Sequence, residues 1–569
     1  MNFRTFWSSI EGKLILMSVL LSLVAFAVIT AQGIGFLHFD TQARLLIARR
    51  VCDSTSPGLA QLGAVWLPLT HIASYPLVCS DIWANSPMGI FMMVLVAVIA
   101  IVFVWKSQQW SVEQKAWGTV IAMVAATALW LILRSNMFYT QGIGMILLSM
   151  LSYWLLGYFL FKFVKELTGS NGASLVAWAV IMLNPNILYL QGTSMTELPM
   201  YFGVLLSMYT FWRLCKEPSS LNWIFWNGIS AFIMTLIRYE PWVILVLETA
   251  IYALVMLLKR YKLGDIVGHL VQWGFLSWVG VVGWIAWNIT IFSNPLEFQN
   301  GAYAAPSNWV SGREAGLGNL RVAFETYIWG IGDTIGGLIV VLGLIALIYH
   351  VLSTRLKKEG YALYLPLIMI PFFGFMIYKG QRPMQVMQIE NTLYNIRFAL
   401  IIILSVGPLI GYMVRKSKYL QVVCGVAVVI TQVLLANNPG ITTLIEPQRA
   451  SSFEFSQLQI EASEWLEDNY DGESMLLEAY GNEQIQFLSG INLGEIIYEG
   501  TYQLWEPILN APYANNIEWI VMRGPYSSFP QDKVWDTVRQ QQSFWDHYVL
   551  VYQNELYQIY RLEATTVNQ

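Results

Sequence analysis

Runs of about twenty apolar residues recur along the first 436 positions of this 569-residue chain, and no other feature constrains its fold as strongly. Each run is long enough to cross a hydrocarbon layer of about 30 Å as a helix. Composition agrees: 56% of the residues are hydrophobic and 12% charged, against roughly 25% charge in soluble domains. The chain therefore reads as a polytopic α-helical membrane protein. Spans fall near 14–36, 87–105, 116–134, 142–164, 172–188, 197–215, 222–238, 240–258, 268–292, 329–350, 362–379, 394–413 and 419–436, about thirteen in all. Pro241 marks the break between the seventh and eighth. The first run is long, and no small-residue cleavage site precedes the charged loop after it, so it reads as a span and not a removable leader.

Basic residues set the expected orientation. Arg4, Lys13, Lys106, Lys115, Lys162, Lys165, Arg213, Lys216, Lys259, Arg260, Lys262, Arg355, Lys357, Lys358, Arg415, Lys416 and Lys418 all fall on one side of the alternation, in short loops. That side is expected to be cytoplasmic. The opposite, extracytoplasmic side receives the loops 37–86, 293–328 and 380–393 and the C-terminal tail. The chain thus divides into a transmembrane domain over 1–440 and a separate domain over 446–569. In the tail, apolar runs shorten to strand length at 475–477, 496–498, 519–522 and 548–552, with helical patterns at 455–469 and 533–541. A small α/β domain outside the membrane is expected there. It holds 19 acidic and 5 basic residues, a formal −14, while the rest of the chain is +10. That sign argues against nucleic acid as a partner.

The first loop, 37–86, is far longer than a connector and carries Asp40, Arg44, Arg49, Arg50, Asp53, His71 and Asp81 among apolar neighbours. Long loops of foldable composition are usually functional. Asp40 stands where an N-cap would start a helix over 41–53. On that helix Gln42, Arg49 and Asp53 share one stripe with Arg50 beside it, and such a helix would lie along the membrane interface. Arg238 and Glu240 stand in a very short connection on the same side, and Arg397 begins a span there. Charges at such depth default to functional hypotheses, although near helix ends long side chains also snorkel to water. Glu197 opens a span after Asn184-Pro185-Asn186 and Thr196, where a helix N-terminus favours a carboxylate. His71 in WLPLTH is a further candidate contact, although a lone histidine is more often structural. Of four cysteines, Cys52 and Cys79 share the first loop, a pairing that spacing alone leaves open.

The strings FDTQARLLIARRVCDSTSPGLAQLGAVWLPLTH, LNPNILYLQGTSMTE and LIRYEPW resemble the GT-C superfamily of membrane glycosyltransferases, and more closely its prokaryotic members related to protein O-mannosyltransferases. The resemblance covers roughly 10–440 and implies a polyprenyl-phosphate-sugar donor, an extracytoplasmic site at the plasma membrane and a first-loop acid acting as base. By position that acid is Asp40. The second acid common two residues on is replaced by Gln42, so no residue is assigned to a metal, and a divalent cation stays open as a cofactor. Arg49, Arg50, Arg238 and Arg397 are the candidates for the donor phosphate, because guanidinium forks match phosphate geometry. Gln42, Asp53, His71, Glu197 and Glu240 are candidate substrate contacts. The acceptor is a protein, lipid or glycan, and membrane lipid is the remaining partner. A polysaccharide polymerase or ligase, or a transporter of lipid-linked sugars, is the alternative. A transporter would carry its charges at mid-membrane, where Glu248 is the main example.

Overall fold

The computed structural model describes residues 9–107, 109–304, 312–354, 358–437, 440–526 and 530–563. Of the basic residues that set the orientation, Arg4, Arg355 and Lys357 lie outside these. Among the described residues, nine helices are long and apolar enough to cross a membrane. A tenth span follows if Leu263–Ser277 and Val279–Phe292, bent by 53°, are taken together. The other three expected spans fall on the helices Asn171–Met182, Glu197–Lys216 and Leu221–Thr235, which are not among these long apolar helices. The chain is a polytopic, multi-pass membrane protein.

Local chemistry starts these helices where it should. The Ser9 hydroxyl accepts from the Gly12 N–H at the head of Ile10–Ala31. Ser86 caps Pro87–Lys106, and Ser111 and Gln114 form a reciprocal capping box on Val112–Arg134. Each cap satisfies an amide that would otherwise be orphaned at a helix end. Burial then separates centre from rim. Ile396–Val414 buries 83% of its apolar window against other helices, whereas Pro87–Lys106 and Val112–Arg134 bury 11% each and present their apolar faces outward. An apolar face left uncovered by protein is suited to lipid.

Packing divides the chain into two compact units. The first comprises residues 1–41, 63–70 and 148–457, and its core is a continuous cluster that includes Trp178, Trp212, Trp273, Tyr201, Tyr252 and Tyr327. Within it Glu248 is fully buried. The Ser207 hydroxyl donates to Glu248 Oε1 at 2.7 Å, Asn227 Nδ2 donates to Ser207 Oγ at 3.2 Å, and Trp273 Nε1 donates to Asn227 Oδ1 at 2.7 Å. Four helices are joined by this chain of polar groups, in the way buried polar side chains link membrane helices.

The second unit comprises residues 42–62, 71–147 and 458–569. It holds the helix pair Pro87–Lys106 and Val112–Arg134, most of the first loop and most of the C-terminal tail. The tail forms a five-stranded sheet of β1 (Met475–Leu476), β2 (Ile496–Ile497), β3 (Trp519–Arg523), β4 (Tyr548–Gln553) and β5 (Tyr557–Leu562), in the order β2-β1-β3-β5-β4. β1 runs parallel to both β2 and β3, and β5 is antiparallel to β3 and β4. The helices Glu454–Asn469 and Lys533–Val538 stand where periodicity places them. β5 is an addition: its sequence YQIYRL follows β4 after a tight turn and pairs along the whole of β3.

The tail is tied to the first loop residue by residue. Thr55 Oγ1 donates to the carbonyls of Gly494 and Ile496 at 3.1 and 2.8 Å, Gln61 Nε2 donates to Gly500 O at 3.0 Å, and Tyr502 donates to Ala60 O at 2.5 Å. Cys52 and Cys79 form a disulfide that closes this loop on itself. Such a cross-link typically contributes about 2–4 kcal/mol. Replacing both cysteines by serine should lower the melting temperature of the detergent-solubilised protein and raise amide exchange at 494–502. Unchanged protection there would show that the bridge supports nothing beyond itself.

Two buried carboxylates make the C-terminal sheet pH-sensitive. Burial, reinforced by nearby Glu478, pushes the Asp532 carboxyl up to about 7, against the pull of the Trp535 and Arg523 amides that it accepts from. Glu499 is likewise pushed up by burial to about 7, against the Ala479 amide. A folded-state value above the unfolded one stabilises at low pH, and that stability is lost as pH rises through the folded value. Amide protection of β1 and β3 should therefore fall between about pH 4 and pH 7–8. Protection that rises over this window would contradict the assignment.

Candidate active site

Backbone breaks gather the charged residues of the first unit. The helix Leu221–Thr235 ends before Arg238, and Glu240–Leu258 begins with Glu240 followed by Pro241. A proline is favoured in the first turn, where no amide is needed. Leu69 N–H donates to the carbonyl of Leu236 at 3.1 Å, and the Tyr239 hydroxyl donates to Val65 O at 3.0 Å, fixing the break. Glu197 opens the helix Glu197–Lys216 after a turn in which Ser194 Oγ donates to Thr41 O at 2.8 Å. Arg397 stands on the short 3₁₀ segment Ile396–Ile402, entered through Asn395 in the left-handed region at φ 52°. The amides of Asn395 and Ile396 both donate to the Glu446 carboxylate, at 2.8 and 3.0 Å. Consecutive amides aimed at one anion make a carboxylate a natural cap for this segment.

The helix that carries Asp40 spans Phe39–Arg50, two residues earlier at its start and three earlier at its end than 41–53. Thr41 N–H already donates to His38 O at 2.9 Å, so the first turn is closed before Asp40 could act as its cap. The carboxylate of Asp40 turns instead to Arg397.

One oxygen joins the whole arrangement. Glu197 Oε1 accepts from Arg238 Nη1 at 2.8 Å and from Arg397 Nε at 3.0 Å. Arg397 goes on to Asp40 Oδ2 at 2.6 Å through Nη2 and to Glu446 Oε1 at 3.3 Å through Nη1, which also meets His38 Nε2. Arg238 donates from Nε and Nη2 to Glu240 Oε1, at 2.9 and 2.7 Å. Both guanidiniums also lie over the Phe398 ring, at 5.4 and 5.3 Å. Side-chain exposure grades across the group, from 1% at Glu197 and 5% at Arg397 and Glu446 to 30% at Asp40. Asp40 is the carboxylate through which this buried network meets its surroundings.

Five expected residues thus come together: Asp40, Glu197, Arg238, Glu240 and Arg397. His38 and Glu446 join them without having been singled out. Arg49 and Arg50 belong to the second unit and have partners there. Arg49 bonds Asp53 through Nε at 2.8 Å and both oxygens of Asp81, at 2.5 and 3.0 Å. With Asp53 it borders a cavity of about 360 Å³. Arg50 bonds Gln486 Oε1 and lies 4.2 Å from the centre of the Tyr498 ring. Gln42 and His71 are buried in the helices Phe39–Arg50 and Leu69–Val78. Among the described residues no three His, Cys, Asp or Glu side chains converge in an arrangement suited to a metal ion.

No family model matches the chain, and no curated protein does. Solved structures do. ArnT from Cupriavidus metallidurans bound to undecaprenyl phosphate covers 98% of this chain with 99% of its own, at 10% identity and a TM-score of 0.50. The apo state of the same protein covers 77% with 86% of its own, at 11% identity and a TM-score of 0.44. The first likeness shows the fold: the polytopic helical architecture of this chain is that of the ArnT structure. The chain resembles ArnT in fold over nearly its whole length.

The burial of Glu197 makes a sharp expectation. Removing one partner of a buried ion group costs about 3–5 kcal/mol, because the others are left uncompensated. Glu197→Ala should lower the stability of the membrane bundle by that order in thermal unfolding, and Glu197→Gln by less, since an amide oxygen still accepts. Equal and small losses in both would mean that Arg238 and Arg397 hold their places without it.

Proposed function

We propose that this protein transfers a sugar from a polyprenyl-phosphate donor to a hydroxyl of a protein, lipid or glycan acceptor, with Asp40 as the general base. The observation that carries the reading is the position of Asp40: a half-exposed carboxylate at the outer end of a buried ion network, held at 2.6 Å by Arg397. The guanidinium orients the carboxylate, and a carboxylate so placed can accept a proton from a hydroxyl within hydrogen-bond reach. In a single displacement the acceptor oxygen bonds to the anomeric carbon while its proton passes to Asp40. The bond from that carbon to the phosphate oxygen breaks, and the lipid phosphate leaves with the electron pair, so the sugar is inverted. Fold likeness to an ArnT structure bound to undecaprenyl phosphate supports a lipid-phosphate donor. Basic short loops on the opposite side support an extracytoplasmic site in the plasma membrane. A polymerase or ligase would share this donor chemistry and differ in its acceptor, so an assay with a pool of acceptors separates these readings.

Asp40→Asn tests the base. The amide oxygen still accepts from Arg397, so the variant should fold, insert and bind donor. An amide does not take up the acceptor proton near neutrality, and a positioned general base is typically worth about 10²–10⁴-fold. Transfer by purified protein with polyprenyl-phosphate sugars should fall by at least about 10²-fold. Asp53→Asn, which alters the Arg49 pairing in the second unit, should fall much less. Near-normal transfer by Asp40→Asn would remove Asp40 from the chemistry.

A further inference from the structure

The network around Asp40 is poorly suited to receive an anion by itself. In the described ion pairs Asp40, Glu197, Glu240 and Glu446 share two guanidiniums, and the forks of both are filled by those carboxylates. A phosphate arriving beside Asp40 would face net negative charge. It needs a cation with no partner of its own.

Such a cation stands in the same unit. Arg382 lies just past the helix Met369–Tyr378, in a return that Gln385 and Tyr394 close as an isolated antiparallel bridge. Asn395 Nδ2 donates to Pro383 O at 3.0 Å, so the residue after Arg382 is fastened two positions before Arg397. This return brings Arg382 within electrostatic reach of Glu240, Arg238, Tyr239 and Tyr394. Burial, with Arg238 adding to it, weakens its hold on the proton, and Glu240 opposes that. Yet the one hydrogen bond of its side chain among the described residues runs from Nη1 to the adjacent carbonyl of Gln381, at 3.3 Å. No described carboxylate comes within ion-pair distance of it, in contrast to Arg49, Arg238 and Arg397. A half-buried guanidinium without a counter-ion is expensive to maintain, and an anion that visits the site would complete it.

We propose that Arg382 grips the phosphate of the lipid-linked donor, while Arg238 and Arg397 hold the carboxylates in place. The assignment rests on the glycosyl-transfer reading and adds to it a residue for the leaving group. Its planar fork matches two phosphate oxygens, and charge-assisted hydrogen bonds to a departing phosphate are the strong kind. Arg382 is a donor-binding residue in this scheme, and Asp40 keeps the proton transfer.

The test uses the full-length protein in detergent and three probes: a short-chain polyprenyl phosphate, the polyprenol of equal length, and inorganic phosphate. Binding is read from tryptophan fluorescence, with ligand-free melting as the check on folding. The wild type should bind the lipid phosphate more tightly than the alcohol, and inorganic phosphate should compete weakly. Arg382→Gln should erase at least about tenfold of the preference for phosphate, leaving polyprenol affinity and ligand-free melting unchanged. Arg382→Lys keeps the charge but not the fork and should fall between the two; it carries the same test should the glutamine variant melt early. A variant that separates phosphate from alcohol as well as the wild type overturns the role of Arg382. Competition by inorganic phosphate as potent as the lipid would overturn the lipid as its ligand. A wild type that does not tell the phosphate from the alcohol overturns the lipid-phosphate donor itself, which distinguishes that failure from a misplaced arginine.

Discussion

A single carboxylate oxygen, Oε1 of Glu197, accepts from two arginines whose positions lie 159 residues apart, at 2.8 and 3.0 Å. Ions buried as deeply as these are tolerated only when each is compensated, so the arrangement is all or none. Arg238 needs Glu197 and Glu240, and Arg397 needs Glu197, Glu446 and Asp40. The helix breaks at 236–239 and 395 follow from this requirement as much as they cause it. A continuous helix through either position would carry its arginine past the shared oxygen. Polar links of the Glu248 kind hold helices to one another; the Glu197 group holds the ends of helices open.

The spans were legible because hydrophobic length is a local property. Most of the expected segments fall on single helices, although 172–188 and 329–350 each run across a break, and several starts carry a serine or asparagine cap or an early proline. The tail's strands were legible for the same reason, apart from β5, where tyrosines alternate with Gln558 and Arg561 and the apolar signal is diluted. The charged site was legible only in part. Asp40, Arg238, Glu240 and Arg397 stand out as ions beside apolar runs. Nothing local separates Glu446 from the other eighteen acids of the tail, because its selection depends on two amides some fifty residues away. His38 was overlooked for a similar reason: its ring matters through Arg397, not through its sequence neighbours.

Stripe reasoning on the first-loop helix also had a limit. It grouped Arg49 with Asp53, which bond each other although the helix ends at Arg50, but could not say what that face meets. In the structure Asp81 takes both terminal nitrogens of Arg49, and Arg50 reaches Gln486. Helical periodicity identifies which side chains travel together; tertiary structure decides which charges are spent and which remain, as the contrast between Arg49 and Arg382 makes plain.

The bonds between the first loop and the tail set a problem of timing. Thr55 leaves the ribosome 441 residues before Ile496, whose carbonyl it will bond. At about 5–20 residues per second that is a wait of roughly 20–90 s. Through that interval the loop must stay compact with its partners in the tail not yet made. The Cys52–Cys79 bridge spans only 27 residues, so both its ends are available long before the tail is. It can preserve the loop's shape until the last fifth of the chain arrives to cover it, which makes an early local cross-link the guardian of a late and distant contact.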